Sequence, residues 1–266
     1  MKRGISFYFG YKISPKKRVE MIKNAKFDCV IANADPRFIL QNGSFRRQIS
    51  LFKKYGIEHS SLHMRYKDCE LSNFWKDCKI GKRMERDLKK DIRLAKKYNF
   101  TCVVVHLLGE PNEFGLNRFK RILAECDKYD VDVAVENIQE NSCFKYVFEK
   151  INNPHLKFCF DCGHNNVWDK DIDFLSKYGD KLATLHLHDN MGEKDEHTIN
   201  KYGNIDWRNL AKKIAKINPN INLDYEIMMY RRENETAEEV LNIVYKQACE
   251  LEQMVQEETL ILQKQK

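Results

Sequence analysis

Residues 182–207 read LATLHLHDNMGEKDEHTINKYGNIDW, and most of the chain's reactive side-chain types are crowded into them. His186 and His188 sit two apart in an apolar run, so on a strand both leave by the same face. Asp189 follows, then Asp195, Glu196 and His197, then a 203–206 turn leading into a helix-like segment. Imidazoles and carboxylates gathered at a strand end are the donors that a divalent cation of the zinc or manganese kind takes. Five other apolar runs end in the same way, at His63, at His106, at Glu136-Asn137, at Asp161 with His164 three residues on, and at Glu226. One histidine at a strand end is ordinarily structural. Six such ends are a different matter, because folding does not require ionisable groups there and burying them unpaired is costly.

The elements that must position these residues follow one rhythm. Strand-like runs cover 5–9, 27–32, 57–63, 101–108, 131–137, 156–161, 182–188 and 221–228, with amphipathic helix-like stretches between them. Strand and helix alternating eight times predicts parallel βαβ units closed into a single (β/α)8 TIM barrel over residues 1–266. An open, doubly wound sheet is the second choice. Residues 236–266 read as a long terminal helix whose far end frays or packs on a partner. In such a barrel, functional groups come from the C-terminal ends of the strands, where all six donor positions fall.

In order, His63, VVVH at 106, VEN at 135–137, FDCGH at 160–164, HLHDN at 186–190, DEH at 195–197, YGNIDW at 202–207 and YE at 225–226 resemble the xylose isomerase-like TIM-barrel superfamily. That superfamily includes sugar-phosphate isomerases and epimerases, and also endonuclease IV, which acts at abasic sites in DNA. In the isomerase and epimerase members, the resemblance implies one divalent ion, manganese or zinc, held by Glu136, Asp161, His186 and Glu226. In endonuclease IV it implies up to three zinc ions, with His63, His106, His164, Asp195 and His197 as additional ligands. For the first class it nominates Glu136 and Glu226 as an acid/base pair working through an enediolate, with His164 holding a substrate hydroxyl.

The rim segments tilt the reading towards a sugar or sugar phosphate as substrate. After Asn137 the chain reads IQENSCF, without the glycine-rich stretch of endonuclease IV, and LLGEPNEFG after His106 carries two glutamates where a DNA backbone would sit badly. Tyr66 keeps the abasic-site phosphodiesterase, with DNA as partner, as the alternative; a binding module that retains its metal residues is a third class. Lys201 stands where the family's G-x-G loop would have its first glycine, leaving Gly203 alone. Candidate substrate contacts are His188, Asn137, Trp168, Arg65 and Arg231, although a solvated arginine and a second hydrogen-bonding histidine are the plain alternatives. Cys159 and Cys162 have C-x-x-C spacing but straddle a strand end, so one reads as core and the other as a neighbour of the site.

Composition sets outer bounds. Hydrophobic residues at 42% and charged ones at 32% fit a soluble globular chain, and a net charge of +7 is too mild to name a partner. Nine cysteines scattered through apolar runs read as reduced thiols. Lys2-Arg3 followed by ISFYFG is too short an apolar run for a signal peptide, and no run approaches a membrane span, so a cytoplasmic location is expected. A homo-oligomer stays open.

Overall fold

The computed structural model describes residues 1–229 and 234–265. Strand β1 (Arg3–Ser6) leads through α1 (Pro15–Asn24) to β2 (Cys29–Asn33); α2 (Ile39–Asn42) and α3 (Phe45–Tyr55) precede β3 (Glu58–His63). Then come α4 (Lys79–Lys97), β4 (Cys102–Val105), α5 (Glu113–Tyr129), β5 (Asp132–Glu136) and α6 (Ser142–Lys150). Strand β6 (Leu156–Asp161) runs directly into α7 (Cys162–Trp168). After it lie α8 (Phe174–Tyr178), β7 (Leu182–His186), α9 (Trp207–Ile217), β8 (Leu223–Tyr225) and α10 (Ala237–Lys264).

All pairings are parallel, in the order β7-β6-β5-β4-β3-β2-β1-β8. A parallel bridge between Leu187 and Tyr225 joins the two ends of that row. Two hydrogen bonds of 2.9 Å make it, Leu187 N–H to the Asp224 carbonyl and Glu226 N–H to the Leu187 carbonyl. The sheet therefore closes into a TIM barrel, which rules out the open alternative.

Side-chain alternation produces two layers of core. On β4, Val103 and Val105 join the large cluster between strands and helices, while Cys102 and Val104 face inward and meet Ala134 and Cys159. Local signals start the helices as expected: Ser14 caps α1 with Pro15 at its first position, and Thr236 and Glu239 form a capping box on α10. Val240, Val244, Ala248, Leu251 and Val255 form the buried stripe of α10. Its far end lies against α9, where Arg208 pairs with Glu257 at 2.6 Å and Glu258 at 3.0 Å.

Apart from β6, which matches its run at 156–161, the strands cover less than the apolar runs that announce them. The first run spans 5–9, yet β1 is Arg3–Ser6; beyond it Phe7 N–H still donates to the Ile31 carbonyl of β2 at 3.0 Å, while the Phe9 carbonyl turns to accept Met229 N–H at 3.2 Å. Among the described residues no helix is long and apolar enough to cross a membrane, and the nine cysteines are free thiols.

Candidate metal centre

His63, Glu136, Asp161 and His186 are the last residues of β3, β5, β6 and β7, while His106 and Glu226 follow β4 and β8 by one residue. The sheet register sets neighbours beside one another, Asp161 against His186 and Glu136 against Cys159. The D-x-x-H spacing has a local cause. Asp161 is the N-cap of α7, and its carboxylate accepts the His164 backbone N–H at 2.7 Å. The same carboxylate faces His188, whose Nε2 lies 3.0 Å from Oδ1 and 3.1 Å from Oδ2. Gly163 makes room for that imidazole: a Cβ there would stand 1.9 Å from His188 Cε1.

Four overlapping donor groups result. Glu136, Asp161, His186 and Glu226 each offer a ligand atom within 4.8 Å of the others, and so do His63, His106 and Glu136. Glu136, Cys159 and His186 form a third group, and His164, His188, Asp195 and His197 a fourth. In the first, His186 Nδ1 lies 3.0 Å from Glu226 Oε2 and 3.2 Å from Glu136 Oε2. In the second, His106 Nε2 is 3.1 Å from Glu136 Oε2 and 3.3 Å from His63 Nε2. In the fourth, Asp195 Oδ2 is 3.1 Å from His197 Nε2 and 3.3 Å from His164 Nε2.

Three of the histidines are aimed by the backbone. Nδ1 of His63 is bonded to the Met64 carbonyl at 2.9 Å, that of His164 to the Asn137 carbonyl at 2.9 Å, and that of His197 to the Glu226 carbonyl at 2.8 Å. Only a protonated Nδ1 can donate to a carbonyl, so each ring presents Nε2 to the interior, as metal-binding imidazoles do. His197 accepts a left-handed backbone (φ 46°) to reach that position.

The electrostatics match this donor set. Burial opposes the charged form of Glu136, but His186, His106 and His164 outweigh it and hold its carboxyl well below the usual range. Burial likewise loses to His186 and His197 at Glu226, and to His197 and His164 at Asp195, and both stay ionised far below the usual range. Against desolvation, Asp195 and Glu226 raise His197 to about 9. Burial and the neighbouring His106 push His63 down to about 4. The carboxylates are thus balanced by protons on imidazoles, which a divalent cation can displace. His186, fully buried, has no well-aligned hydrogen bond at either ring nitrogen among the described residues. An imidazole set between two carboxylates, 3.0 Å and 3.2 Å away, is a donor arrangement in which a cation can take the place of the imidazole proton.

These groups open on a cavity of about 330 Å³ lined also by Tyr66, Leu108, Ile138 and Trp168. Trp168 is partly exposed with its ring 4.9 Å from that of His164, in place to cover a bound molecule. Tyr66 stands at the opposite wall, 4.5 Å from the His106 ring. An adjoining recess bounded by Asn33, Phe38 and Asn42 shares His63 and Glu226 with it.

Two expected substrate contacts have other partners. The Asn137 amide is spent on the Asp161 backbone, accepting its N–H and donating to its carbonyl, both at 2.8 Å. Arg65 grips Asp91 through Nε at 2.9 Å and Nη2 at 2.5 Å, and faces a neighbouring cleft instead. Arg231 and Arg232 lie outside the described residues. His188 belongs with the fourth donor group, its ring stacked 4.0 Å from that of His197. Asp189 organises the loop that carries Asp195 and His197: it accepts Ile205 N–H at 3.1 Å and Trp207 Nε1–H at 2.7 Å. Gly203 is needed beneath it, since a Cβ there would meet Asp189 Oδ1 at 1.9 Å.

The family model for the xylose isomerase-like TIM barrel matches residues 19–247. The chain belongs to the xylose isomerase-like TIM-barrel family. It is 30% identical over 133 residues to the uncharacterized protein y4fM of Sinorhizobium fredii, a match spanning 47% of this chain and 42% of that one. The chain therefore spans less than half the length of that relative. It is 28% identical over 185 residues to the uncharacterized protein MJ1614 of Methanocaldococcus jannaschii, covering 64% of this chain and 71% of that one. Among solved structures, the barrel superposes on a D-tagatose 3-epimerase-like protein with a TM-score of 0.74 at 19% identity, over 100% of this chain and 99% of that one. An L-ribulose 3-epimerase superposes with a TM-score of 0.77 at 13% identity, over 98% and 97% of the two chains.

Proposed function

We propose that this chain is a divalent-metal-dependent isomerase or epimerase of a sugar or sugar phosphate. The observation that carries the reading is the convergence of Glu136 and Glu226 on one imidazole, at 3.2 Å and 3.0 Å from His186 Nδ1. A divalent cation held by Glu136, Asp161, His186 and Glu226 would polarise a ketose carbonyl and its neighbouring hydroxyl, acidifying the C–H bond of the carbinol carbon. One of the two glutamates takes that proton. The other returns a proton to the opposite face, giving the epimer, or to the adjoining carbon, giving the isomer. His164, anchored by the Asn137 carbonyl, orients a substrate hydroxyl, and Trp168 screens the site from water. Tyr66, beside His63 and His106, bounds the cavity on the other side. The names of the structural neighbours support a ketose, and the cavity of about 330 Å³ above the donor groups has room for one.

The test is incubation with a ketose and ketose-phosphate panel in deuterated water. Deuterium entering substrate and product at one carbon supports the reading, and unexchanged sugars across the panel would sink it. A second reading, an abasic-site phosphodiesterase, draws on the two histidine-rich groups that flank the four-ligand set. Three zinc ions per chain together with nicking of an abasic duplex would put that reading first.

A further inference from the structure

The group made by Glu136, Cys159 and His186 differs from the rim donors in containing sulfur, and the proton transfer above does not use it. Cys159 is the register partner of Glu136 on the adjacent strand, so the two side chains leave the sheet on the same side. Two residues before Asp161 on β6, it lies one layer deeper in the barrel, among Cys102, Val104 and Ala134. Glu136, Cys159 and His186 are 1%, 0% and 0% exposed, so solvent does not satisfy their polar atoms. Glu136 Oε1 and both nitrogens of His186 form no well-aligned hydrogen bond among the described residues, with His164 Nδ1 3.2 Å from the first and Glu226 Oε2 3.0 Å from His186 Nδ1. Sulfur beside imidazole suits soft cations, whereas the carboxylate-rich rim set suits manganese or magnesium.

We propose that Glu136, Cys159 and His186 form a second, deeper seat for a thiophilic divalent cation such as zinc, which competes with the rim seat. The two positions share Glu136 and His186, so filling the deep seat withdraws two donors from the rim set. Sulfur coordination displaces the thiol proton to water. Cys159 thereby becomes a determinant of which metal the enzyme works with and which metal blocks it. The idea rests on the metal-dependent reading, but its readout does not require turnover.

The probe is cadmium, titrated into the full chain carrying Cys69→Ser, Cys78→Ser and Cys249→Ser, which removes the thiols nearest solvent. One equivalent is expected to give a thiolate-to-cadmium charge-transfer band in the ultraviolet, and excess manganese to diminish it. Adding Cys159→Ser should abolish the band and weaken cadmium binding by about tenfold or more. Cys159→Ala repeats the test should serine in this apolar layer disturb folding, which thermal melts will show. Adding Cys162→Ser instead should leave the band in place. No band in the parent, or a band that survives in a folded Cys159 variant, overturns the proposal. A band without any sugar turnover leaves the sulfur seat standing and removes the isomerase reading; manganese-dependent turnover without a band does the reverse.

Discussion

The imidazole of His197 is tied through Nδ1 to the backbone carbonyl of Glu226 across 2.8 Å. This bond joins the loop after β7 to the residue after β8, so two donor groups are held in one frame. Replacing His197 with Ala should release that carbonyl and lower metal affinity by about 10- to 100-fold, the usual effect of losing an orienting partner. His197→Asn, whose amide can still donate, should recover part of it. Chelator-competition titrations measure both.

Glu226→Gln keeps the shape of the side chain but removes its basicity and a charged ligand. Turnover is expected to fall by about 10²-fold or more, with metal lost on dialysis. Cys162→Ser should change activity by no more than a few-fold, since Cys162 Sγ only donates to the His188 carbonyl at 3.2 Å and a hydroxyl can do the same. Steady-state rates and metal content per chain, taken together, check the pair. Full activity in Glu226→Gln would remove it from its acid/base role.

Gly163→Ala pushes a methyl into the His188 ring, which must swing away from Asp161. The expected cost is about 1–3 kcal/mol of stability, with weaker metal retention. Urea midpoints and metal content read the two effects separately. A neutral result would show that His188 does not need its observed position.

Glu85 links α4 to α5, with Arg121 at 2.7 Å and Lys89 at 2.9 Å. The hydrogen bonds from Arg121 lead in lowering its carboxyl from 4.5 to about 2, against burial and aided by Lys89. A depressed carboxyl stabilises the fold above its unfolded value and stops doing so as pH falls through the folded one. Glu85→Gln should therefore cost about 1 kcal/mol at neutral pH, after solvent screening. The difference should shrink below pH 4.5 and vanish towards pH 2. Denaturant melts of both proteins across that range test the sign.

Chelation should lower thermal stability, because Glu136, Asp161 and Glu226 are buried beside one another. A cation present at 100 times its dissociation constant adds about 2.7 kcal/mol, or roughly 5–10 °C of melting temperature for a chain of this size. Scanning calorimetry with and without chelator gives the figure, and a melting point indifferent to chelator would argue against a bound ion.

The sequence made the barrel and the residues gathered at its rim legible because both are written locally. A period-two apolar run ends in His or Glu, and Asp161 and His164 are close enough to read as a cap and its partner. What it hid depends on contacts between distant segments. Nothing near Asn137 reveals that both ends of its amide belong to the Asp161 backbone, so it passed for a substrate contact. Arg65 looked available because its partner Asp91 lies within KKDIR of α4, one charge among several, and only helix packing brings it close. Asp189 was visible as a residue but not as the hub of its loop, since its partners Ile205 and Trp207 lie 16 and 18 residues further on. Cys159 looked like one more apolar-run cysteine until the sheet register set it against Glu136.

The Leu187–Tyr225 bridge, a single pairing, is the shortest joint in the ring, and His186 and Glu226 stand on its two sides. An ion gripped by both would act as a rivet across this seam, damping its breathing as well as serving chemistry above it. Amide protons at Leu187 and Glu226 should then exchange with deuterium fastest in the metal-stripped protein, marking where the ring first parts.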